Sequence, residues 1–166
     1  MSISSEDVLL GVLLELLGSI DLFEDTIEKV VALAILMPIV ASMGGVTGSQ
    51  SLTLVIRSMA QGTLLESNMG WLIRRELAVS VLNGIVWASL IAVGTAILFN
   101  DTTLGMIIAI ALVINMAVAA VSGAMLPKIL KSLNIDPAIA GTVVLTTITD
   151  VVGFLTFLGI ATYFYA

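Results

Sequence analysis

The chain has 166 residues, 59% of them hydrophobic and 11% charged, and a mean hydropathy of +1.18 that lies far outside the range of a soluble globular domain. It has no cysteine and no histidine, which excludes thiolate and imidazole sites for zinc, copper, haem or iron–sulfur clusters and leaves oxygen ligands, the donors preferred by hard cations such as magnesium and calcium. A formal net charge of -6 points to cationic partners and provides no basic patch for nucleic acid.

The opening residues, MSISSED, are acidic and lack the basic region of a signal peptide. Residues 8–23 form the first apolar stretch, only about 24 Å long as a helix and carrying Glu15. Gly11, Glu15 and Gly18 share one face, so the segment either crosses with that face toward protein or lies along the interface; crossing is the preferred reading. The following loop holds Asp21, Glu24, Asp25 and Glu28, either a solvated loop or a cation-concentrating mouth.

Four further segments are long and apolar enough to span: residues 30–56, 77–99, 104–126 and 138–165. No ten-residue apolar/polar alternation is present, so a β-barrel is not expected, and the fold class is an all-α membrane bundle of five transmembrane helices with the first the shortest. The second span contains PIVASMGGVTGSQSLTLVIR, residues 38–57. Pro38 kinks it, while Gly44, Gly45 and Gly48 either admit a neighbouring backbone or let the helix unwind and free carbonyls toward a pore. Gln50 and Thr53 extend this polar face. Asn83 in the third span is read as packing, NDTT at residues 100–103 as a tight turn, and Asn115 in the fourth span as pore-adjacent.

KILKSLNID, residues 128–136, is read as a short basic connection, and within NIDPAIAG the pair Asp136–Pro137 supplies N-cap and first residue of the last helix. The last span carries TTITDVVGF, residues 146–154. Here Thr142, Thr146, Asp150 and Gly153 follow at spacings of four, four and three, which aligns them in one polar stripe ending near the bilayer midplane, with Asp136 at its cytoplasmic end. Arg57, Arg74, Arg75, Lys128 and Lys131 all fall on one side, which the positive-inside rule makes cytoplasmic and which places the C-terminus outside.

A carboxylate at mid-bilayer costs at least ~2.5 kcal/mol, so Asp150 is a functional candidate by default, the alternative being a protonated staple between helices. One carboxylate offers too few oxygens for a cation. Two copies across a symmetry axis would offer a pair, sufficient for a magnesium ion that keeps most of its waters.

The combination of M-G-G-x-x-G-x-Q, D-P-A and T-x-x-D-x-x-G over residues 22–166 resembles the membrane domain of the MgtE family of magnesium channels, to which certain animal solute carriers are related. The resemblance implies a homodimer embedded in lipid, five helices per protomer, a pore along the dimer axis and a hydrated Mg2+ held by paired Asp150 carboxylates. It also implies the Thr146 carbonyl beside the ion, Asp136 at the inner mouth, and Thr142, Gly45, Val46 and Gln50 along the pore. The family usually has asparagine at the position of Val46, and some relatives have it at Thr142. Well-studied members carry a large cytoplasmic N-terminal region with paired CBS modules; about seven residues precede the first segment here, so the expectation is a single transmembrane ion-channel domain over residues 1–166 without that sensor.

The expected function is passive Mg2+ uptake, with the transported ion as the only ligand, driven inward by about 4.6 kcal/mol per 100 mV for a divalent cation. A broader divalent pathway for Mn2+ or Co2+, a sodium-coupled exchanger, and a non-transporting scaffold with Asp150 as staple are the alternatives. An enzyme is not expected, because no paired carboxylates stand at catalytic spacing within one span.

Overall fold

A computed structural model describes residues 31–63 and 68–165, together with Gly18. Apart from Gly18, the expected first span at residues 8–23, its acidic loop and Lys29 lie outside the described residues. The remainder consists of four long apolar helices: α1 (Val31–Ala60), α2 (Met69–Phe99), α3 (Thr102–Ser132) and α4 (Pro137–Tyr165), with no strand among the described residues.

Each helix has 29 to 31 residues, or roughly 45 Å at 1.5 Å per residue against a hydrocarbon layer of about 30 Å. Hydropathy therefore marks only the lipid-embedded middle of each helix. Arg74, Arg75 and Glu76, expected in a loop, are helical in α2, and Lys128 and Lys131 are helical in α3. The basic connection of residues 128–136 shrinks to a turn over residues 133–136. Helical backbone continues into the headgroup zone because it satisfies its own polar groups there as well. The Arg75 guanidinium lies 5.6 Å from the centre of the Trp71 ring, an amphipathic pair of the kind that anchors helix ends at an interface.

The two well-described turns use one device. Asn100 and Asn134 adopt positive φ angles of 51° and 59° and end α2 and α3, a conformation that asparagine tolerates better than most residues. An aspartate then caps the next helix. Asp101 Oδ1 accepts the Thr103 and Leu104 N–H groups at 2.8 and 3.1 Å, and Asp136 Oδ1 accepts the Ala138 N–H at 2.8 Å. Asp101 also accepts the Tyr165 hydroxyl through Oδ2 at 2.5 Å, tying the end of α4 to the α2–α3 turn.

Helix α3 is central: α1, α2 and α4 all pack on it, α1 also packs on α4, and α1 barely touches α2. Helix α2 shows Leu82, Ile85, Val86, Leu90, Val93 and Ile97 on its exposed side, a face suited to lipid. Asn83, expected in the packing, lies on that exposed side as well.

Between α1, α3 and α4 the interior is layered. One end is a large apolar cluster built around Leu33, Val40, Ile108, Leu112, Phe157 and Leu158. The other is a smaller cluster of Leu52, Leu126 and Leu145. Between them lies a layer of glycines and one amide, where backbones come into direct contact. A methyl group at Gly123 would stand 2.4 Å from the Gly48 carbonyl oxygen, so Gly123 lets α1 and α3 approach to a separation that a side chain there would not permit.

Candidate functional site

Asp150 lies near the middle of α4, half-buried at the protomer surface. No hydrogen bond or ion pair reaches its carboxylate from the described residues. Nor do any three acidic side chains gather among the described residues in an arrangement able to hold a metal ion. The described region therefore presents a lone, partly exposed carboxylate near the middle of a long apolar helix, where charge is costly.

The residues around it come from the local chemistry of α4. Thr146, one turn earlier, is half-buried, and its hydroxyl donates back to the carbonyls of Thr142 and Val143 at 3.1 and 3.0 Å. Its own donor is thereby satisfied without a partner helix, and the oxygen keeps acceptor capacity. Thr142 is exposed, so the stripe of Thr142, Thr146 and Asp150 runs along the outside of the protomer. Gly153 leaves that stripe. It is buried, and a methyl group there would lie 2.8 Å from Asn115 Nδ2 and 3.3 Å from the Val40 side chain.

Helix α1 contributes a second polar strip. A methyl group on Gly45 would sit 3.9 Å from Thr146 Cγ2, so α1 and α4 meet at these two predicted positions. Val46, 59% exposed, and Gln50 face outward from α1. Thr53, also exposed, prolongs the strip. The glycine segment is continuous helix throughout, so of the two expectations for it close packing holds, and no carbonyls are freed by unwinding. Gly44 abuts Asn115 and Gly48 abuts both Leu145 and Gly123.

Asn115, expected beside a pore, is found in the interior of the bundle. It is 0% exposed, enclosed by α1, α3 and α4, and reaches no surface of the protomer. Its Nδ2 donates to the Val40 carbonyl at 2.9 Å, while Oδ1 is buried without a partner. An amide in the middle of a membrane helix turns inward because lipid offers it nothing to bond.

The Thr146 carbonyl, expected beside the ion, accepts the hydroxyl of Thr149, which is wholly buried, at 3.0 Å. Asp136 lies at the start of α4, roughly 21 Å along the helix from Asp150 at 1.5 Å per residue. It is exposed and lines an open cleft of about 480 Å³ together with Met59, Lys131 and Asn134. Its cap bond uses one carboxylate oxygen, Oδ1.

Sequence reasoning missed Glu76. This half-buried carboxylate, inside α2, accepts the Ser51 hydroxyl at 2.9 Å from a serine that is itself buried in α1. The signal was available in Glu76 directly following Arg74 and Arg75, but assigning all three to a loop hid it.

With this geometry in view, comparison with known proteins gives a consistent result. The profile of the family described as MgtE, divalent cation transporter, matches residues 37–160. The chain is 39% identical over 145 residues to the magnesium transporter MgtE of Bacillus subtilis (strain 168), covering 87% of this chain and 32% of that protein. It is 34% identical over 139 residues to the magnesium transporter MgtE of Thermus thermophilus, covering 84% of this chain and 31% of that protein. The same-named protein of Enterococcus faecalis is 28% identical over 142 residues, 86% of this chain and 31% of that protein. The chain thus spans about a third of the length of the curated relatives it matches. The matched region takes in α4 through Asp150, the glycine segment of α1 from Met37 onward, and all of α2 and α3, and on that match the chain belongs to the MgtE family of divalent cation transporters.

Proposed function

We propose that this chain conducts Mg2+ across a membrane through a homodimer, with the ion held between two Asp150 carboxylates and partly hydrated. The observation that carries the reading is the half-buried Asp150 on the outer side of the protomer, with no bonding partner among the described residues. A charge in that position must meet water, an ion or a second subunit. The flanking exposed polar positions, Thr142 on α4 and Gln50 and Thr53 on α1, would be costly against lipid and suit a wet pathway shared between two copies.

Symmetry supplies what one protomer lacks. Two carboxylates neutralise a divalent ion, and magnesium, which dehydrates reluctantly, keeps most of its waters between them. Threonine hydroxyls and the outward-facing amide of Gln50 would bond those waters. Asp136, at the end of the stripe, would concentrate cations at the cytoplasmic mouth. The Thr146 carbonyl already accepts the Thr149 hydroxyl in addition to the helical N–H of Asp150, so it would reach the ion's waters only with the Thr149 hydroxyl turned away. Val46 would line the same pathway, giving an apolar surface where the family usually has asparagine. Residues 8–23 would form the fifth helix of each protomer, the C-terminus would face outside, and residues 1–166 would act as one transmembrane ion-conducting domain. The inward potential acts on the ion's two charges, contributing about 4.6 kcal/mol per 100 mV.

The curated relatives are named magnesium transporters, and the family description is the wider term, divalent cation transporter. That description favours one second reading, a pathway that also carries Mn2+ or Co2+. A non-transporting scaffold fits less well, since a staple requires a bonded partner and Asp150 has none among the described residues.

The test is flux into proteoliposomes holding the reconstituted chain under an inside-negative potential. Asp150→Ala is expected to abolish Mg2+ entry while the dimer persists on size-exclusion chromatography. Undiminished entry through that variant refutes the assignment of the site. Competition by Mn2+ and Co2+ in the same vesicles separates the two transport readings.

A further inference from the structure

Three mid-helix positions on two helices converge on a single amide carried by a third. Asn115 of α3 donates to the Val40 carbonyl of α1 at 2.9 Å. A methyl group on Gly44 of α1 would lie 2.3 Å from its Nδ2, and one on Gly153 of α4 would lie 2.8 Å from the same atom. The amide thus fills the space that both glycines leave, and its bond to Val40 fixes which way it points, because a carbonyl accepts only from Nδ2.

We infer that Asn115 is a positioning residue, a spacer that sets the separation of α1 and α4 where Gly45 faces Thr146 and thereby aims the Thr146–Asp150 turn outward. Each of the two glycines adjoins a residue of the proposed pathway: Gly44 precedes Gly45, and Gly153 lies one turn after Asp150. Asn115 itself touches no ion, being wholly enclosed. Its buried Oδ1 has no hydrogen-bond partner among the described residues. An apolar side chain of similar size would avoid that orphan but would lose the bond that locks the spacer to α1. The functional half of this inference rests on the pore reading given above; the spacing half does not.

The absence of native cysteine supplies the experiment. Gly45→Cys and Thr146→Cys, introduced together into the full chain, place the only two thiols where a Cβ at residue 45 lies 3.9 Å from Thr146 Cγ2. Oxidation by copper phenanthroline in proteoliposomes, read by mass as the intrachain disulfide, then reports the α1–α4 gap. Asn115→Ala is expected to slow disulfide formation at least about tenfold, because disulfide geometry tolerates only a narrow range of separations. Gly153→Ala, which keeps the amide but pushes against it, is expected to slow formation too. Combining Asn115→Ala with Gly153→Ala returns the rate toward that of the parent, since a methyl group then takes the vacated space. Equal rates in all four backgrounds overturn the inference, and if Asn115→Ala alone does not fold, the Gly153→Ala comparison decides it.

A second readout separates positioning from mere stability. In the cysteine-free chain, Asn115→Ala is expected to raise the half-saturating Mg2+ concentration for flux about fivefold, with a smaller change in maximal flux. An unchanged half-saturation removes the functional half. If Asp150→Ala conducts like the parent, the pore reading falls instead, while the disulfide rates still judge the spacer.

Discussion

At the scale of single residues, the structure distinguishes polar groups that have partners from those that do not. Asp101 is fully engaged: its carboxyl is held below the ordinary value of 3.8, chiefly by the Tyr165 hydroxyl, against the opposing effect of burial and with help from the backbone N–H groups of Leu104 and Thr103. Because the folded value lies below the unfolded one, its stabilising contribution is complete above pH 3.8 and is lost as pH falls through the lower folded value. Tyr165→Phe is therefore expected to destabilise the protein by about 1 kcal/mol at neutral pH. The deficit should shrink once the medium is acidic enough to protonate Asp101, as thermal unfolding in detergent at the two pH values would show. A deficit of the same size at both would mean that the tyrosine acts by packing alone.

Reading residues from sequence worked where the chemistry is local and failed where it depends on a distant neighbour. Asp136 was legible as a cap because a helix start needs an acceptor next to it in sequence, and NDTT was legible as a turn though not as the cap that Asp101 supplies. The stripe of Thr142, Thr146 and Asp150 was legible because helical periodicity alone aligns it, and the M-G-G-x-x-G-x-Q and T-x-x-D-x-x-G motifs carried the family. The contacts of Asn115 were not legible because they are made with Gly44 and Gly153, on other helices, and no spacing within α3 encodes them. Asn83 was assigned inward on polarity, yet the face of α2 that carries it packs against nothing among the described residues.

At the scale of elements, the glycines of the bundle fall into ranks that one substitution each would reveal. Gly123 meets backbone: an added methyl group 2.4 Å from the Gly48 carbonyl oxygen and 3.1 Å from Leu52 N cannot be accommodated without moving a helix. Gly48 meets only the Leu145 side chain, at 2.9 Å, which can rotate away. Gly94 in α2 has nothing within 4 Å. Gly123→Ala is expected to cost about 3 kcal/mol or more, and Gly48→Ala about 1 to 2 kcal/mol. Gly94→Ala should be neutral or stabilise by up to about 1 kcal/mol through helix propensity. Thermal unfolding of the three variants in one detergent checks the order, and a Gly123→Ala protein as stable as the parent would contradict the α1–α3 contact described above. Helix ends escaped the sequence reading for a related reason: hydropathy reports solvent, and α2 and α3 keep their helical bonds after the solvent changes.

For the whole molecule, the issue is which outer surface meets lipid and which meets water. The exposed side of α2 is almost wholly apolar, whereas the surface formed by α1 and α4 carries Gln50, Thr53, Thr142 and Asp150. Single cysteines introduced at Thr142 and Gln50 should react with a membrane-impermeant thiol reagent at least about tenfold faster than one at Leu90, because the reactive thiolate does not form in hydrocarbon. Equal protection at all three would seal the proposed pathway and return Asp150 to a structural part.

The central place of α3 also constrains how such a bundle is born. Helices α1 and α2 precede α3 in the chain yet scarcely touch one another beyond the Ser51–Glu76 bond, so among the described helices a nascent protein that has inserted both gains most of its packing only later. Its glycine-lined groove must wait, bathed in acyl chains, until the third crossing arrives to fill it. Maturation is then gated by completion of that crossing, and a ribosome stalled before residue 132 would leave two loose hairpin arms, open to quality-control proteases, in place of a partly built transporter.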